Sequence, residues 1–432
     1  MTRRIQQLKS EFVEFLRSGA KPREAWRVGV EIEVFGFDSR TKERLDNFQV
    51  QMVLRELSES DGDLIFENDL LIQTETASGK WTIEPGGQIE FSSAARMSLC
   101  EIERDLRENF DRLKSIGERL NFQFLALGFD PLRSIDEQKW FLGEGYRRMK
   151  PFMRERGRRS WDMMTRTCAI QVNLDYGTEA DLVKKFVVGN RLAPIVAAIF
   201  ANSPFADGGF NNYQSNRVLT WLETDAARSG VSPLALKDDF SLNEFVEYAL
   251  NIQILLLRKN GEYVDAFTGK SFRTFLESGD FAQDVYDFQN HLNKIFTEAR
   301  LKNYIELRSA DGGNPAHALA VGALWKGLFY DDTSLDAAFQ IAPKLNAEEF
   351  CALQKDVARN GLRAVSRGKR VLDVAKETVE IAVSGLQKTA PDEVRFLNLL
   401  RERILIAEKS PADILLENWC GSIEKVFELT AI

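Results

Sequence analysis

An α+β fold, one domain with a helical C-terminal portion, is what this sequence of 432 residues predicts. Three observations predict it. Four segments alternate apolar and polar side chains with a period of two, the mark of strands with one apolar face. Other stretches repeat apolar residues every three or four positions, as amphipathic helices do. Beyond the last alternating segment, near residue 306, helical patterns and capping signals dominate. No internal repeat, low-complexity tract or linker divides the chain, so residues 1–432 read as a single domain. Its sheet-containing core covers 1–345 and its helical part 346–432.

The elements follow in order. Residues 5–17 predict an amphipathic helix with Ile5, Leu8, Phe12 and Leu16 on one stripe, and a strand carrying Glu31 and Glu33 comes next. Residues 38–80 predict a short helix plus irregular strands over Val50–Leu57 and then Leu64–Thr74. Pro85-Gly86-Gly87 forces a tight turn between Glu84 and the strand with Gln88 and Glu90. Leu99, Ile102, Leu106, Phe110, Leu113 and Ile116 predict a long helix over about 94–119, followed by a strand near Gln123–Phe129. Tyr146–Arg159 is a basic run, and Cys168–Tyr176 reads as a strand. Thr178 with Asp181 opens a helix that Pro194 should kink or break. Asn202–Gly209 has loop composition, Asn346 with Glu349 opens a helix that Gly361 stops, and Ser410-Pro411 opens another.

Composition narrows the chemistry. With 44% hydrophobic and 28% charged residues the chain is an ordinary globular sequence, and its net charge of −8 offers no basic field for nucleic acid or anionic membrane. No apolar run approaches the roughly 20 residues that cross a bilayer. The first residues lack an apolar signal core, and Glu11 and Glu14 argue against a transit peptide, so the cytoplasm is expected. Four cysteines without a CxxC pair and two histidines leave little for zinc, disulfides or Ser-His-Asp chemistry. Carboxylates, amides, arginines and a metal ion must carry any catalysis.

Those groups cluster on the polar faces of the four alternating segments: Glu31 and Glu33; Glu84, Gln88 and Glu90; Gln171 and Asn173; Glu306 and Arg308. Singly, each has a plain structural explanation. Glu31 and Glu33 suit a solvated strand face, Gln171 and Asn173 suit hydrogen-bonded amides in a half-buried sheet, and Glu306-Leu-Arg308 suits a cross-strand ion pair. Jointly, hard oxygen ligands at i and i+2 on four strands predict a converging site for Mg²⁺ and phosphate. The basic run suits a solvated surface or a loop closing over phosphate or a substrate carboxylate. Thr268-Gly269-Lys270-Ser271 is not a phosphate loop, because Val264 stands where that motif needs glycine. Cys168 reads as a small buried hydrophobe.

Longer strings carry a resemblance. Trp81-Thr-Ile-Glu-Pro-Gly-Gly-Gln-Ile-Glu90, Asp162-Met-Met-Thr-Arg-Thr-Cys-Ala-Ile-Gln-Val-Asn-Leu-Asp-Tyr176, Phe200-Ala-Asn-Ser-Pro-Phe205, Leu301-Lys-Asn-Tyr-Ile-Glu-Leu-Arg-Ser-Ala-Asp-Gly-Gly313 and Leu328-Phe-Tyr-Asp-Asp332 stand in consistent order. Together they resemble the plant-type glutamate–cysteine ligases, which many bacteria share, from about Arg27 to Asp331. The resemblance implies a glutamine-synthetase-like fold, a curved antiparallel sheet with the active site on its concave face and helices packed behind. It implies ATP-dependent joining of the glutamate γ-carboxylate to the amine of cysteine, with ATP as co-substrate and more than one Mg²⁺. By position, Glu31, Glu33, Glu84, Glu90, Glu306 and the neutral Gln171 would be metal ligands. Arg308 would meet ATP phosphate and, with Glu90, form the catalytic pair. Arg217 would hold the α-carboxylate of glutamate, and Asn173, Gln88 and Arg147 are further candidates for substrate.

The chain also departs from that family. The usual Glu-His-Glu-Lys-Phe-Gly-Phe is here Glu31-Ile-Glu-Val-Phe-Gly-Phe37, and Arg-Tyr-x-x-Met is Gly145-Tyr-Arg-Arg-Met149. The latter leaves a substrate-binding arginine either missing or displaced to 147 or 148. The cysteine that follows Asp-Gly-Gly in plant members, part of a thiol switch, is absent. Two alternatives stay open: the same chemistry with another amine acceptor, and a catalytically silent nucleotide-binding relative.

Overall fold

Alternation in the sequence becomes a sheet with two unlike faces. The computed structural model describes residues 3–58, 63–141 and 143–432, and nine strands among them form one antiparallel sheet. Its first seven strands are β1 (Val28–Asp38), β2 (Leu64–Glu67), β3 (Leu70–Thr76), β4 (Gly79–Ile83), β5 (Ile89–Ser93), β6 (Phe122–Leu125) and β7 (Ala169–Leu174). The Ala299–Leu301 and Ile305–Asp311 strands complete it. Across the sheet the order is Ala299–Leu301, Ile305–Asp311, β7, β1, β5, β4, β3, β2, with β6 paired to the far end of β1. Every pairing is antiparallel.

One face is apolar and closed. Val28, Val30, Ile32 and Val34 of β1 and Ile170 and Val172 of β7 are fully buried. Helices α1 (Arg3–Arg17), α2 (Asn47–Leu57) and α3 (Leu99–Leu120) come from the first part of the chain. Ser98 and Glu101 close a capping box at the start of α3, and Asn121 ends it in the left-handed conformation at φ 59°. The helix therefore begins at Leu99, later than the periodicity suggested, because the preceding residues still follow β5. Buried residues from Leu8 to Ile404 form one continuous apolar cluster, to which the Pro315–Phe329 and Val371–Thr389 helices contribute.

Three helices complete the surroundings of the other face, α4 (Glu144–Arg154), α5 (Ser160–Arg166) and α7 (Asn216–Leu222), while α6 (Glu179–Ile199) packs on the apolar face, where its Gly189 approaches Leu307. Helix α6 continues through Pro194, so the proline does not break it. Seventeen of its residues are buried, so tertiary packing on both sides holds a helix whose local sequence argues for an interruption. The Asn346 capping box, its stop at Gly361 and the Ser410 start are where the sequence predicts them. Asn202–Gly209 contains a two-residue hairpin, Phe205–Ala206 paired with Gly209–Phe210, turning on Asp207 at φ 52° and Gly208 at φ 84°.

His291 sits in the apolar cluster region, 2% exposed, stacked on Phe272 and donating from Nε2 to the Ala249 carbonyl at 2.9 Å. Burial pushes its pKa down from 6.5 to about 4, with Arg228 adding to the effect. The folded state thus binds fewer protons than the unfolded chain below pH 6.5. Stability is intact above that value and declines as pH falls toward about 4, by roughly 3 kcal/mol. His291→Gln should flatten this acid dependence. Melting temperatures measured between pH 7 and pH 4 should fall less steeply in the variant than in the parent.

Candidate functional site

The register of the sheet gathers residues that lie far apart in the chain. Arg300 pairs with Glu306, Glu306 with Asn173, and Asn173 with Gly29. A second row runs Gln171, Glu31, Ser92, Lys80. A third runs Glu33, Glu90, Thr82, Gln73. Side chains in register share a face, so these rows form the floor of one cavity of about 820 Å³. Its walls come from Tyr146 and Met149 of α4, Met163 and Met164 of α5, and Arg217 and Trp221 of α7. At one end Lys21, Arg27, Lys80, Lys294 and Lys302 make a basic rim.

Glu84 owes its place to the turn that follows β4. Its backbone N–H donates to the Gln88 carbonyl at 2.9 Å and its carbonyl accepts from Gly87, which takes φ 74°. A side chain on Gly86 would meet the Thr165 backbone at 2.3 Å, so only glycine lets the turn lie against α5. Arg44 secures the turn from behind, donating to the Gly86 carbonyl at 2.7 Å and to buried Asp130 at 2.9 Å. Gln88, 1% exposed, accepts from Gly86 N–H and donates to the Met164 and Thr167 carbonyls. Its amide is spent on fixing the turn to α5. Gln88 lines the cavity, and in this structure its amide positions the turn that carries Glu84.

The carboxylates differ in what holds them. Glu33 accepts from Ala169 N–H at 2.9 Å and from Gln171 Nε2 at 3.2 Å. Glu31 accepts from Asn173 Nδ2 at 2.8 Å. Glu90 accepts from Thr82 at 3.2 Å and Ser92 at 3.0 Å. Among the described residues nothing donates to the Glu84 carboxylate. Burial first, then Glu84, pushes Glu33 up to about 8. Burial and the charges of Glu31, Glu84 and Glu33 raise Glu90 well above the ordinary carboxylate range, and burial raises Glu84 despite Lys294 and Arg308. Four carboxylates facing one cavity and repelling one another form a donor set that a cation would relieve. Among the described residues no three acidic, histidine or cysteine side chains converge as a ready-made cage.

Glu306 stands apart. It is fully buried and absent from the cavity lining, held by Arg300 at 2.5 and 3.0 Å, Lys302 at 2.7 Å and Arg308 at 2.5 Å. Burial alone would raise its carboxyl, but Arg300, Lys302 and Arg308 hold it well below the usual range. The expected metal ligand is thus the counter-ion of three cations, with no oxygen turned to the cavity. Gln171 lines the cavity; its oxygen accepts from Arg308 and its Nε2 donates to Glu33, so it orients both. Arg147 points outward from α4, exposed and outside the lining, while its neighbour Tyr146 points inward. Adjacent helical residues lie about 100° apart, so only one of them can face the cavity. Arg148 is tied to Glu144 and Asp265.

Arg217 faces the carboxylates from the wall and Arg308 from the sheet itself. Arg217, 4% exposed, donates from Nη2 to the Arg308 carbonyl at 2.8 Å. Its helix is anchored by Ser215, the N-cap, which donates to Asp311 at 2.9 Å; Ser203 donates to the same carboxylate at 2.6 Å. The model of glutamate–cysteine ligase family 2 matches residues 27–428, a span that includes all these positions. The chain belongs to that family. It is 35% identical over 430 residues to glutamate–cysteine ligase A, chloroplastic, of Oryza sativa subsp. indica, covering 97% of this chain and 87% of that protein. It is equally 35% identical to the chloroplastic glutamate–cysteine ligase of Nicotiana tabacum, over 97% of this chain and 82% of that protein. The crystal structure of a glutamate–cysteine ligase from Francisella tularensis in complex with AMP shares the fold, at TM-score 0.57 and 13% identity, over 94% of this chain and 87% of that one.

In this member of glutamate–cysteine ligase family 2 the cavity also holds residues that pattern reading missed. Tyr146, Trp221, Lys294 and Arg300 all line it. Trp221 had a signal in the sequence, four residues after Arg217 on a capped helix. Lys294 had none: it sits in the short connection after the Val285–Leu292 helix, where only the tertiary fold turns it toward Glu84. Burial, with Arg300 and Lys302, lowers its pKa while Glu84 opposes them. Burial and the surrounding glutamates raise Tyr146 far above its ordinary value, so its hydroxyl stays protonated.

Proposed function

We propose that this protein is an ATP-dependent glutamate–cysteine ligase that joins the γ-carboxylate of glutamate to the amine of cysteine. The observation that carries the reading is the single cavity in which Glu31, Glu33, Glu84 and Glu90 face Arg217 and Arg308. A carboxylate is a poor electrophile and needs activation. Its γ-oxygen attacks the γ-phosphorus of ATP, the bond to the bridging oxygen breaks, and ADP leaves. The γ-glutamyl phosphate is then attacked by the cysteine amine, which loses a proton as inorganic phosphate departs.

Such phosphoryl transfer asks mainly for positioning and charge neutralisation. Arg308, held by Glu306 and Gln171, presents a fixed guanidinium to the transferring phosphoryl group. Arg217 grips the α-carboxylate of glutamate and aims the γ-carboxylate at the nucleotide. The basic rim suits the polyphosphate. Glu31, Glu33, Glu84 and Glu90 would hold Mg²⁺, which supplies charge neutralisation for the triphosphate. Mg²⁺ commonly takes one or two carboxylates and completes its shell with phosphate oxygens and water, so a dispersed carboxylate wall suits it. Asn173, whose buried Oδ1 has no partner, belongs to the same wall and can accept from substrate. The four free cysteines fit a reducing compartment such as the cytoplasm.

For the acceptor, the lobe formed by Met149, Met163, Met164, Leu256 and Tyr146 suits a thiol better than a hydroxyl. An apolar lobe leaves a hydroxyl unpaired, and such pockets discriminate by roughly 100-fold. One experiment tests the whole reading. Phosphate release and product mass are followed with ATP, glutamate and either cysteine, serine or 2-aminobutyrate, with and without Mg²⁺. The expected result is glutamate-dependent release that needs Mg²⁺, disappears with a chelator, and favours cysteine over serine by about two orders of magnitude. Equal turnover with serine would overturn the acceptor. Absence of glutamate-dependent release with every amine would overturn the ligase reading.

A further inference from the structure

Two buried donors in the cavity wall have nothing to donate to. Arg217 and Trp221 lie four residues apart on α7, so their side chains leave the helix on the same side. Both line the cavity. Arg217 uses Nη2 on the Arg308 carbonyl, and Nη1 lies 4.0 Å from Asp311, but its Nε–H is buried without an acceptor. The Trp221 indole Nε1–H is buried without an acceptor as well. Leaving one such donor unpaired in a folded interior is costly. Two of them, on residues one helical turn apart that both line the cavity, ask for a group with two acceptor oxygens.

The indole is not free to turn away. Its ring packs against Phe296 with centroids 5.6 Å apart and an angle of 55°, and the Arg308 guanidinium lies 5.8 Å from its centroid. Arg217 is fixed in turn through Ser203, Ser215 and Asp311, the last of which holds both hydroxyls. The pair is therefore a preformed fork: one donor from a cation, one from a neutral ring. A carboxylate matches it in charge and in the spacing of its oxygens.

We propose that Trp221 is a substrate-binding residue, its indole N–H donating to one oxygen of the α-carboxylate of glutamate while Arg217 holds the other. This rests on the ligase reading above and names one more contact in it. Glutamate, seated so, has its side chain directed from α7 across the floor toward Glu33 and Glu90, where the nucleotide must meet it.

Trp221→Phe keeps most of the ring and removes only the donor. The KM for glutamate should rise by roughly tenfold or more, as expected when a hydrogen bond to a charged group is lost. The KM values for ATP and cysteine and kcat should change by less than about threefold. Trp221→His, which restores a ring N–H, should recover part of the glutamate affinity. As a competitive inhibitor, 4-aminobutyrate keeps the reacting carboxylate and the amine of glutamate but lacks the α-carboxylate. Its inhibition constant should be the same in the parent and in Trp221→Phe. An unchanged glutamate KM, a rise confined to cysteine, or a parallel loss for 4-aminobutyrate would each overturn the proposal. Activity of the parent enzyme in the same assay separates that failure from failure of the ligase reading itself.

Discussion

Glu90→Ala is expected to lower glutamate-dependent phosphate release by roughly 10²–10³-fold, the scale of losing one preorganised electrostatic group at a reacting centre. The fold should not suffer. The Glu90 carboxyl is raised by burial and by the neighbouring charges of Glu31, Glu84 and Glu33, so its ionised form is disfavoured in the protein alone. Only Thr82 and Ser92 donate to it, and both can turn to water in an open cavity. Removing it takes an unfavourably buried carboxyl out of the cavity, so the melting temperature should stay level or rise. Steady-state phosphate release and a thermal melt on the same preparation check both halves. Near-normal turnover would remove Glu90 from the site, and a large fall in melting temperature would make it a structural residue.

Glu306→Gln should behave in the opposite way, although the sequence places both glutamates in the same kind of motif. Glu306 is fully buried and is the shared counter-ion of Arg300, Lys302 and Arg308. Neutralising it leaves three cations facing one another in a low-dielectric setting. Breaking a buried pair by removing one partner costs about 3–5 kcal/mol, which should appear as a large drop in denaturant midpoint. Turnover should fall too, because Arg308 loses one of the two acceptors that aim its guanidinium. Equal stability in variant and parent would return Glu306 to the set of ligands turned toward the cavity.

The contrast between these residues explains how far the sequence could be read. Alternation identified the strands of the polar face and put Glu31, Glu33, Glu90, Gln171, Asn173, Glu306 and Arg308 on it. It could not say which oxygen of each side chain is already engaged. Gln88 and Gln171 carry ligand-type amides, yet one is committed to the Met164 and Thr167 carbonyls and the other to Arg308 and Glu33. Arg147 lies outside the cavity lining for a different reason. A run of basic residues reveals charge, but the phase of α4 decides that Tyr146, not Arg147, turns inward. Pro194 does not break α6, because a helix buried over most of its length is governed by its neighbours more than by one local breaker.

By itself the sequence determined the local decisions: which segments pleat, where helices are capped at Asn346 and Ser410, where Gly86 and Gly87 must turn, and which acids alternate on a strand. These depend on neighbours within a few positions, and a chain carries that information directly. Only the tertiary structure decided which acids remain available and which are consumed by cations. It also decided that Lys294 and Trp221 join the cavity, and that two N–H groups of α7 are left without acceptors. The physical reason is that availability is a property of pairs. Whether a charge is quenched or exposed depends on residues such as Arg300 and Asn173, which reach it only across the register of a folded sheet.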